Sequence, residues 1–444
     1  MLKWKGQIKL TSKVILLSIL IVGLFTACGE GRTKSDDITV YYVKSDRIVD
    51  IAINDFNKSS KITLNAVGFD SEQEMDDQFI NNLNTRQQVP DVIVLNDKTT
   101  LDLSKIYQST FLELDTLMDQ DQSFNESFYI EAAMDGGKID DEQIFLPVSF
   151  NLPVLFFDTD KVQSAGVTIT PEADIDTLFS EIESHMDSIS QNDKMSTLLN
   201  LYQKPILTLL FRAGSVEILN GKGEYVLEKE ELNKLVDYAK IIYDEQEKAY
   251  RVAEMYGNDF SALASNALFL LWDNINLPYD VRAFDSLYQA GGMDNIDLMT
   301  IPAFKDGERA AIINLYGAII KSTVNEGASF EFLKTLMDSY AVSTNEVVYT
   351  TPVSRSSYDE YLRHLKQKKN VAQSGRSPIT IYPMSDAMEA KLQELVYDIS
   401  VCIIPNTMIE NILEESFGPY LAGSRTYDDC FADFERTLQI YLEE

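Results

Sequence analysis

Apolar and polar positions along this chain switch between two periods. Ile38-Thr39-Val40-Tyr41-Tyr42-Val43 is a β-branched and aromatic run that predicts a strand. Ile48, Ile51, Ala52 and Phe56 follow at helical spacing, and Ile62, Leu64 and Ala66 then alternate as a strand does. Met75, Phe79 and Leu83 return to the helical period, and Val92 to Leu95, announced by Pro90-Asp91, predicts a buried strand. Such repeated alternation is the pattern of an α/β layer with a parallel core. Residues 99–135 read as mostly helix and loop.

The next stretch, IFLPVSFNLPVLFFDTDKVQSAGV from Ile144 to Val167, organises the rest. Two β-rich runs meet there with no Gly or Asp-Gly between them, which argues against a tight hairpin. A crossing between two lobes fits, since hinges are a few element-terminal residues that absorb a rotation; two ordinary buried strands would show the same pattern. In a crossing, Ser149 and Asn151 would lie at the floor of a cleft, where small ligands usually bind.

From Pro171 to Tyr256 the periodicity predicts helix throughout, with Leu232, Leu235, Val236, Ala239 and Tyr243 as the clearest stripe. Ala267 to Trp272, Leu298 to Pro302, and Ile312 to Ile320 (interrupted by Tyr316-Gly317) predict strands. Phe330, Leu333, Met337 and Tyr340 predict a helix. The tail reads as helical, with stripes at Ile409, Ile412, Leu413 and Phe417 and at Phe431, Phe434, Leu438 and Tyr441. Lys366 to Pro378 reads as an exposed loop between helices. No repeat or low-complexity tract occurs.

The N-terminus changes the picture. Lys3, Lys5, Lys9 and Lys13 precede an apolar run from Val14 to Phe25, too short to span a bilayer, and then Phe25-Thr26-Ala27-Cys28. Small residues before a cysteine form a bacterial lipobox, so residues 1–27 are expected to be a lipoprotein signal peptide; an ordinary signal peptide with an incidental Cys is the alternative. Cleavage would leave a lipid on Cys28 and an extracytoplasmic protein anchored to the cell membrane. Residues 28–37 would be a short polar tether. Loss of residues 1–27 removes four lysines and no acid, moving the formal charge from −32 to −36. That argues against nucleic acid or an anionic membrane surface as a partner. The remaining chain, about 410 residues, suffices for two packed domains.

Little catalytic chemistry is visible. His185 and His364 sit on polar helical stretches without metal-ligand spacing, and no zinc, nucleophile-elbow or phosphate-loop motif occurs. Asp119, Asp121, Ser123 and Asn125 have calcium-loop spacing, but Phe124 stands where Gly is needed and Ile130 where Glu is needed. No metal and no cofactor are expected. A glycosidase carboxylate pair stays open, because its test is a separation in space. Cys402 and Cys430 make no disulfide scaffold, and whether they pair is left open.

Taken together, these segments resemble the extracellular solute-binding proteins of bacterial ABC importers, in the family that includes maltose-binding protein and multiple-sugar-binding lipoproteins. ITVYYV and IVDIAINDFN are similar to the family's opening strand and helix, and PDVIVLND to the strand whose end faces the ligand. FLPVSFNLPVLFFDTDKVQSAGV resembles the first interlobe crossing, NALFLLWDN the strand ending in Gly-Ser/Pro-Trp, whose Trp is either a ligand platform or plain core, and LMTIPAFKDG the strand before the second crossing. FEFLKTLM resembles the following helix, TTPVSRSSYDE the third crossing, and YLAGSRTYDDCFADFERTLQIYLEE the closing helices.

The resemblance covers essentially the whole chain after Cys28. It implies a two-lobed α/β fold of the periplasmic-binding-protein type II class, with lobes at about 36–145 plus 313–350 and 146–312 plus 351–444. It further implies a binder rather than an enzyme: a monomer that takes a mono- or oligosaccharide into its interlobe cleft and delivers it to ABC permease transmembrane subunits. Carried over by position, the ligand residues are Lys44, Ser45, Asn96, Asp97, Asn151, Trp272, Asp273 and Tyr316. Three departures bear on the ligand: Leu270-Leu271 replaces the usual Gly-Ser before the Trp, only one Trp follows Cys28, and Phe150-Asn151-Leu152 is less acidic than in the maltose-binding proteins. A secreted carbohydrate-active enzyme and a sensor or adhesion lipoprotein are the rival readings.

Overall fold

Strands β1 (Asp37–Val43), β2 (Thr63–Phe69) and β3 (Val92–Asn96) form where the β-branched runs predict them, separated by the helices Arg47–Ser59 and Glu72–Thr85. The computed structural model of the chain describes residues 37–168, 173–190, 196–200, 205–216, 218, 225–256, 267–272, 277–290, 295–304, 308–339, 350–367, 370–374 and 377–443. The expected signal peptide, Cys28, Asp273 and Tyr340 lie outside these residues, as does the side chain of Trp272. The remaining described strands are β4 (Lys138–Ile139), β5 (Glu142–Gln143), β6 (Leu146–Asn151), β7 (Val154–Asp158), β8 (Ser196–Asn200), β9 (Ala267–Trp272), β10 (Ile296–Thr300), β11 (Ala310–Ile319), β12 (Thr351–Pro352), β13 (Asn370–Ser374), β14 (Ser377–Ile381) and β15 (Val401–Ile403).

A large sheet runs in the order β12-β6-β11-β3-β1-β2, with β15 added beside β11. In it β1 pairs parallel with both β2 and β3, while β11 runs antiparallel to β3 and β6. A smaller sheet has the order β10-β7-β9-β8. The chain leaves the large sheet at Asn151 and enters the small one at Val154, so β6 and β7 belong to different sheets. Leu152-Pro153 is thus a crossing and not a hairpin. A second crossing runs from β10 back to β11. The architecture is two-lobed α/β.

Period-two alternation divides the small sheet between two cores. Phe156, Leu270 and Leu298 face a core shared with the large sheet and with the helices Leu277–Ala290, Arg355–Gln367 and Asp386–Tyr397. Leu155, Phe269 and Met299 face the opposite core, built with the helices Ile175–Ser190, Ile206–Ala213, Lys229–Tyr256, Thr407–Leu421 and Tyr427–Glu443.

Three expectations need correction. The stretch read as helical from Pro171 to Tyr256 contains β8, which pairs parallel with β9; Ser-Thr-Leu-Leu-Asn is too short for its period to separate strand from helix. Lys366 to Pro378 is not a loop alone, since β13 and β14 form an antiparallel hairpin there. Nor does Tyr316-Gly317 interrupt its strand. β11 continues to Ile319 because a Cβ on Gly317 would come within 2.3 Å of Leu333 Cδ2, so glycine lets the helix Glu326–Asp338 pack closely on the strand. Both Cys402 and Cys430 are buried free thiols.

Candidate ligand cleft

The order β3-β1-β2 with all three strands parallel creates a topological switch point between β1 and β3. Ligands of open α/β sheets bind outside the carboxyl ends of strands at such a point. Here those ends carry Lys44-Ser45-Asp46 and Asn96-Asp97.

Asn96 is the hub. It ends β3, is buried, and donates its amide hydrogens to Asp46 Oδ2 at 3.1 Å and Glu72 Oε1 at 2.9 Å. Its own Oδ1 accepts from the backbone N–H of Lys98 at 3.1 Å, so the residue shapes the turn while it joins two carboxylates. Burial pushes the Asp46 carboxyl up to about 6; the Asn96 bond and Lys98 oppose this, and the charges of Glu72 and Asp97 add to it. Glu72 opens the helix Glu72–Thr85, whose cap, Ser71, accepts from Glu74 N–H. One turn on, Asp76 accepts from Thr99 Oγ1 at 3.1 Å and from the backbone N–H of Thr100 at 2.7 Å. Its pKa is also raised by burial.

The facing wall comes from the helical layer on the small sheet. Arg212, in the last turn of the helix Ile206–Ala213, donates from Nε and Nη2 to the two oxygens of Glu410, each at 2.7 Å. Its Nη1 reaches Asp97 Oδ2 at 3.0 Å, so the ion pair crosses from one lobe to the other. Glu414, one turn beyond Glu410, accepts from Thr208 N–H at 2.7 Å, and burial raises its pKa. Carboxylates therefore outnumber cations here, and every one of them is an acceptor of hydroxyl or N–H groups.

The other sequence-derived positions are placed differently. Lys44 turns outward to Asp70 at 2.7 Å, and Ser45 is exposed in the turn before Asp46. Asn151 is buried as the last residue of β6, opposite Ile312. Ser149, two residues earlier, donates to Asn314 Oδ1 at 2.6 Å across the crossing strands. Tyr316 is wholly buried, with its ring edge-on to Phe145 at 5.3 Å, and burial raises its pKa well above the usual phenol value. Trp272 ends β9, where its backbone pairs with Val154. At the calcium-like spacing, the Lys334 ammonium pairs with Asp121 and lies 3.0 Å from Ser123 Oγ.

No protein-family model matches the chain, and no characterised protein matches it by sequence. Solved structures do match. The sugar-binding protein MalE from Xanthomonas citri superposes with a TM-score of 0.64 at 13% identity, covering 92% of this chain and 97% of that one. The ABC substrate-binding protein Lmo0181 from Listeria monocytogenes, in complex with cycloalternan, gives 0.57 at 14% identity over 92% and 99%. The GacH receptor of Streptomyces glaucescens, solved unliganded and with acarbose, gives 0.56 at 14% identity over 92% and 98%. This chain has the fold of MalE.

Beside the switch point, Asp97 meets Arg212 of the helical layer on the small sheet. Asp46, Glu72, Arg212 and Glu410 are not among the residues that the sequence alone points to. For Arg212 a signal exists: it is the one charged residue in Ile-Leu-Thr-Leu-Leu-Phe-Arg-Ala-Gly, where an apolar helix would otherwise run unbroken. Among the described residues no cluster of His, Cys, Asp and Glu fits a metal ion, and no helix is long and apolar enough to cross a membrane.

Proposed function

We propose that this chain is an extracytoplasmic solute-binding protein that captures a mono- or oligosaccharide between its lobes and delivers it to ABC permease transmembrane subunits. The observation that carries this reading is the Asn96-centred cluster at the switch point, with Arg212 opposite it. Half-buried carboxylates with a buried amide on one side, and a guanidinium on the other, suit a ligand whose many hydroxyls both donate and accept. The names of the structural neighbours, which include a sugar-binding protein and complexes with cycloalternan and acarbose, support the same ligand class. In this reading Asn96 and Asp97 touch ligand together with Asp46, Glu72 and Arg212. Trp272 and Asp273, carried over from the resemblance, are proposed to touch ligand as well, and Asn151 adjoins the first crossing.

The protein is further proposed to act as a monomer without enzymatic activity, held at the membrane face by a lipid on Cys28. Replacement Cys28→Ser then abolishes incorporation of labelled fatty acid, and labelling that survives the change removes the anchor from the account. Binding is tested by a thermal-shift screen of the purified protein against mono- and oligosaccharides, with amino acids and polyamines as controls. A ligand bound only by the folded state stabilises it by about 2.7 kcal/mol at a hundredfold excess over its dissociation constant. A shift of several degrees with one sugar class supports the reading and names the ligand. A shift with a control alone removes the carbohydrate. Hydrolysis of a panel sugar replaces the binder with a carbohydrate-active enzyme.

A further inference from the structure

Arg212 joins the two lobes directly, through its own side chain. We propose that Asp97, Arg212 and Glu410 form the main part of a clamp that holds the lobes closed without ligand, so that ligand enters only through a transiently opened state. The guanidinium is divided between lobes. Two of its donors grip Glu410 in a parallel fork within the second lobe, each at 2.7 Å. The remaining reach goes to Asp97 of the first lobe, through Nη1 to Oδ2 at 3.0 Å and Nη2 to the backbone carbonyl at 3.4 Å.

That division makes the clamp releasable. The side chains are mostly shielded from water: Arg212 is 13% exposed, Asp97 23% and Glu410 4%. A buried charge left alone is strongly unfavourable. When the lobes part, however, Arg212 keeps Glu410, and Asp97 moves into water. Opening therefore breaks the interlobe bond without stranding a buried charge.

A second fastening lies on the same segment. Tyr441, in the C-terminal helix, donates its hydroxyl to Asp102 Oδ2 at 2.6 Å. Lys105 Nζ donates to the Tyr441 carbonyl at 2.7 Å and sits 4.3 Å from the centre of its ring. Residues 97–105 of the first lobe are thus pinned to the helical layer of the second at two points. Of this clamp only Asp97 is among the positions that the sequence points to.

Small-angle X-ray scattering of the full chain without added ligand tests the clamp. No sugar enters the experiment, so its outcome is independent of which ligand the cleft takes. Two variants are compared with the wild type, each first shown to be folded by its circular dichroism and cooperative melt. Asp97→Ala removes the interlobe carboxylate and leaves the Arg212–Glu410 pair intact; Tyr441→Phe removes only the hydroxyl of the second fastening. The expected result is a wild-type profile that matches the closed structure and a larger radius of gyration for Asp97→Ala, with a smaller increase for Tyr441→Phe. A wild type already extended without ligand, or folded variants as compact as the wild type, overturns the proposal.

Discussion

Asp46 is held in a surrounding that disfavours its charge. Burial is the main cause, and the carboxylates of Glu72 and Asp97 reinforce it, so the group titrates near 6 and not near the ordinary 3.8. The folded protein therefore keeps a proton on Asp46 between about pH 4 and pH 6, where the unfolded chain has released it. The stability this contributes is fully present below about pH 4 and is lost as the pH rises through 6. Asp46→Asn should consequently raise stability at pH 7 by about 1–3 kcal/mol, because each tenfold difference in proton affinity between the folded and unfolded chain is worth about 1.4 kcal/mol. The same change should flatten the dependence between pH 4 and 6. Denaturant unfolding of both proteins across that range checks it; parallel curves would show that the carboxylate is not strained.

At the scale of elements, Gly317 decides how closely helix and sheet approach. A side chain there meets Leu333, itself fully buried, so Gly317→Val should lower unfolding free energy by about 2 kcal/mol, in the range of overpacked cores. Urea unfolding with an unchanged m value measures this, and a neutral result would mean that the helix Glu326–Asp338 can yield. Here the sequence was partly legible. Long runs with one clear period, such as Ile38 to Val43, became the expected strands. β8 is too short for its period to decide, and β13–β14 carries lysine, glycine and serine around it that read as loop chemistry. A crossing between the two β-rich runs was legible from the lack of Gly or Asp-Gly between them, but Pro147 to Asn151, where it was expected, is strand β6, and the chain changes sheets just after it, at Leu152-Pro153. Individual side-chain directions were not visible: Lys44 and Asp46 are two residues apart, yet one points to Asp70 outside and the other to Asn96. Arg212 and Asp97 are 115 positions apart, so only the folded chain brings them together.

At the scale of the molecule, the two larger sheets and the crossings between them bring Asp97 against Arg212. The fold was readable from the order of weak motifs along more than 400 residues, each of them uninformative alone. The ligand was less readable, since fold does not fix what a cleft accepts. The decisive measurement is a calorimetric titration of the oligosaccharide class selected by thermal shift, on the wild type and on Asn96→Ala. Removing the Asn96 amide leaves Asp46 and Glu72 without their shared donor and unfixes the wall. The account predicts saturable 1:1 binding to the wild type and a dissociation constant at least about tenfold higher for the variant, equivalent to about 1.4 kcal/mol. Binding of equal strength to a folded Asn96→Ala protein would contradict the placement of the site, and an absence of saccharide binding to the wild type would contradict the function.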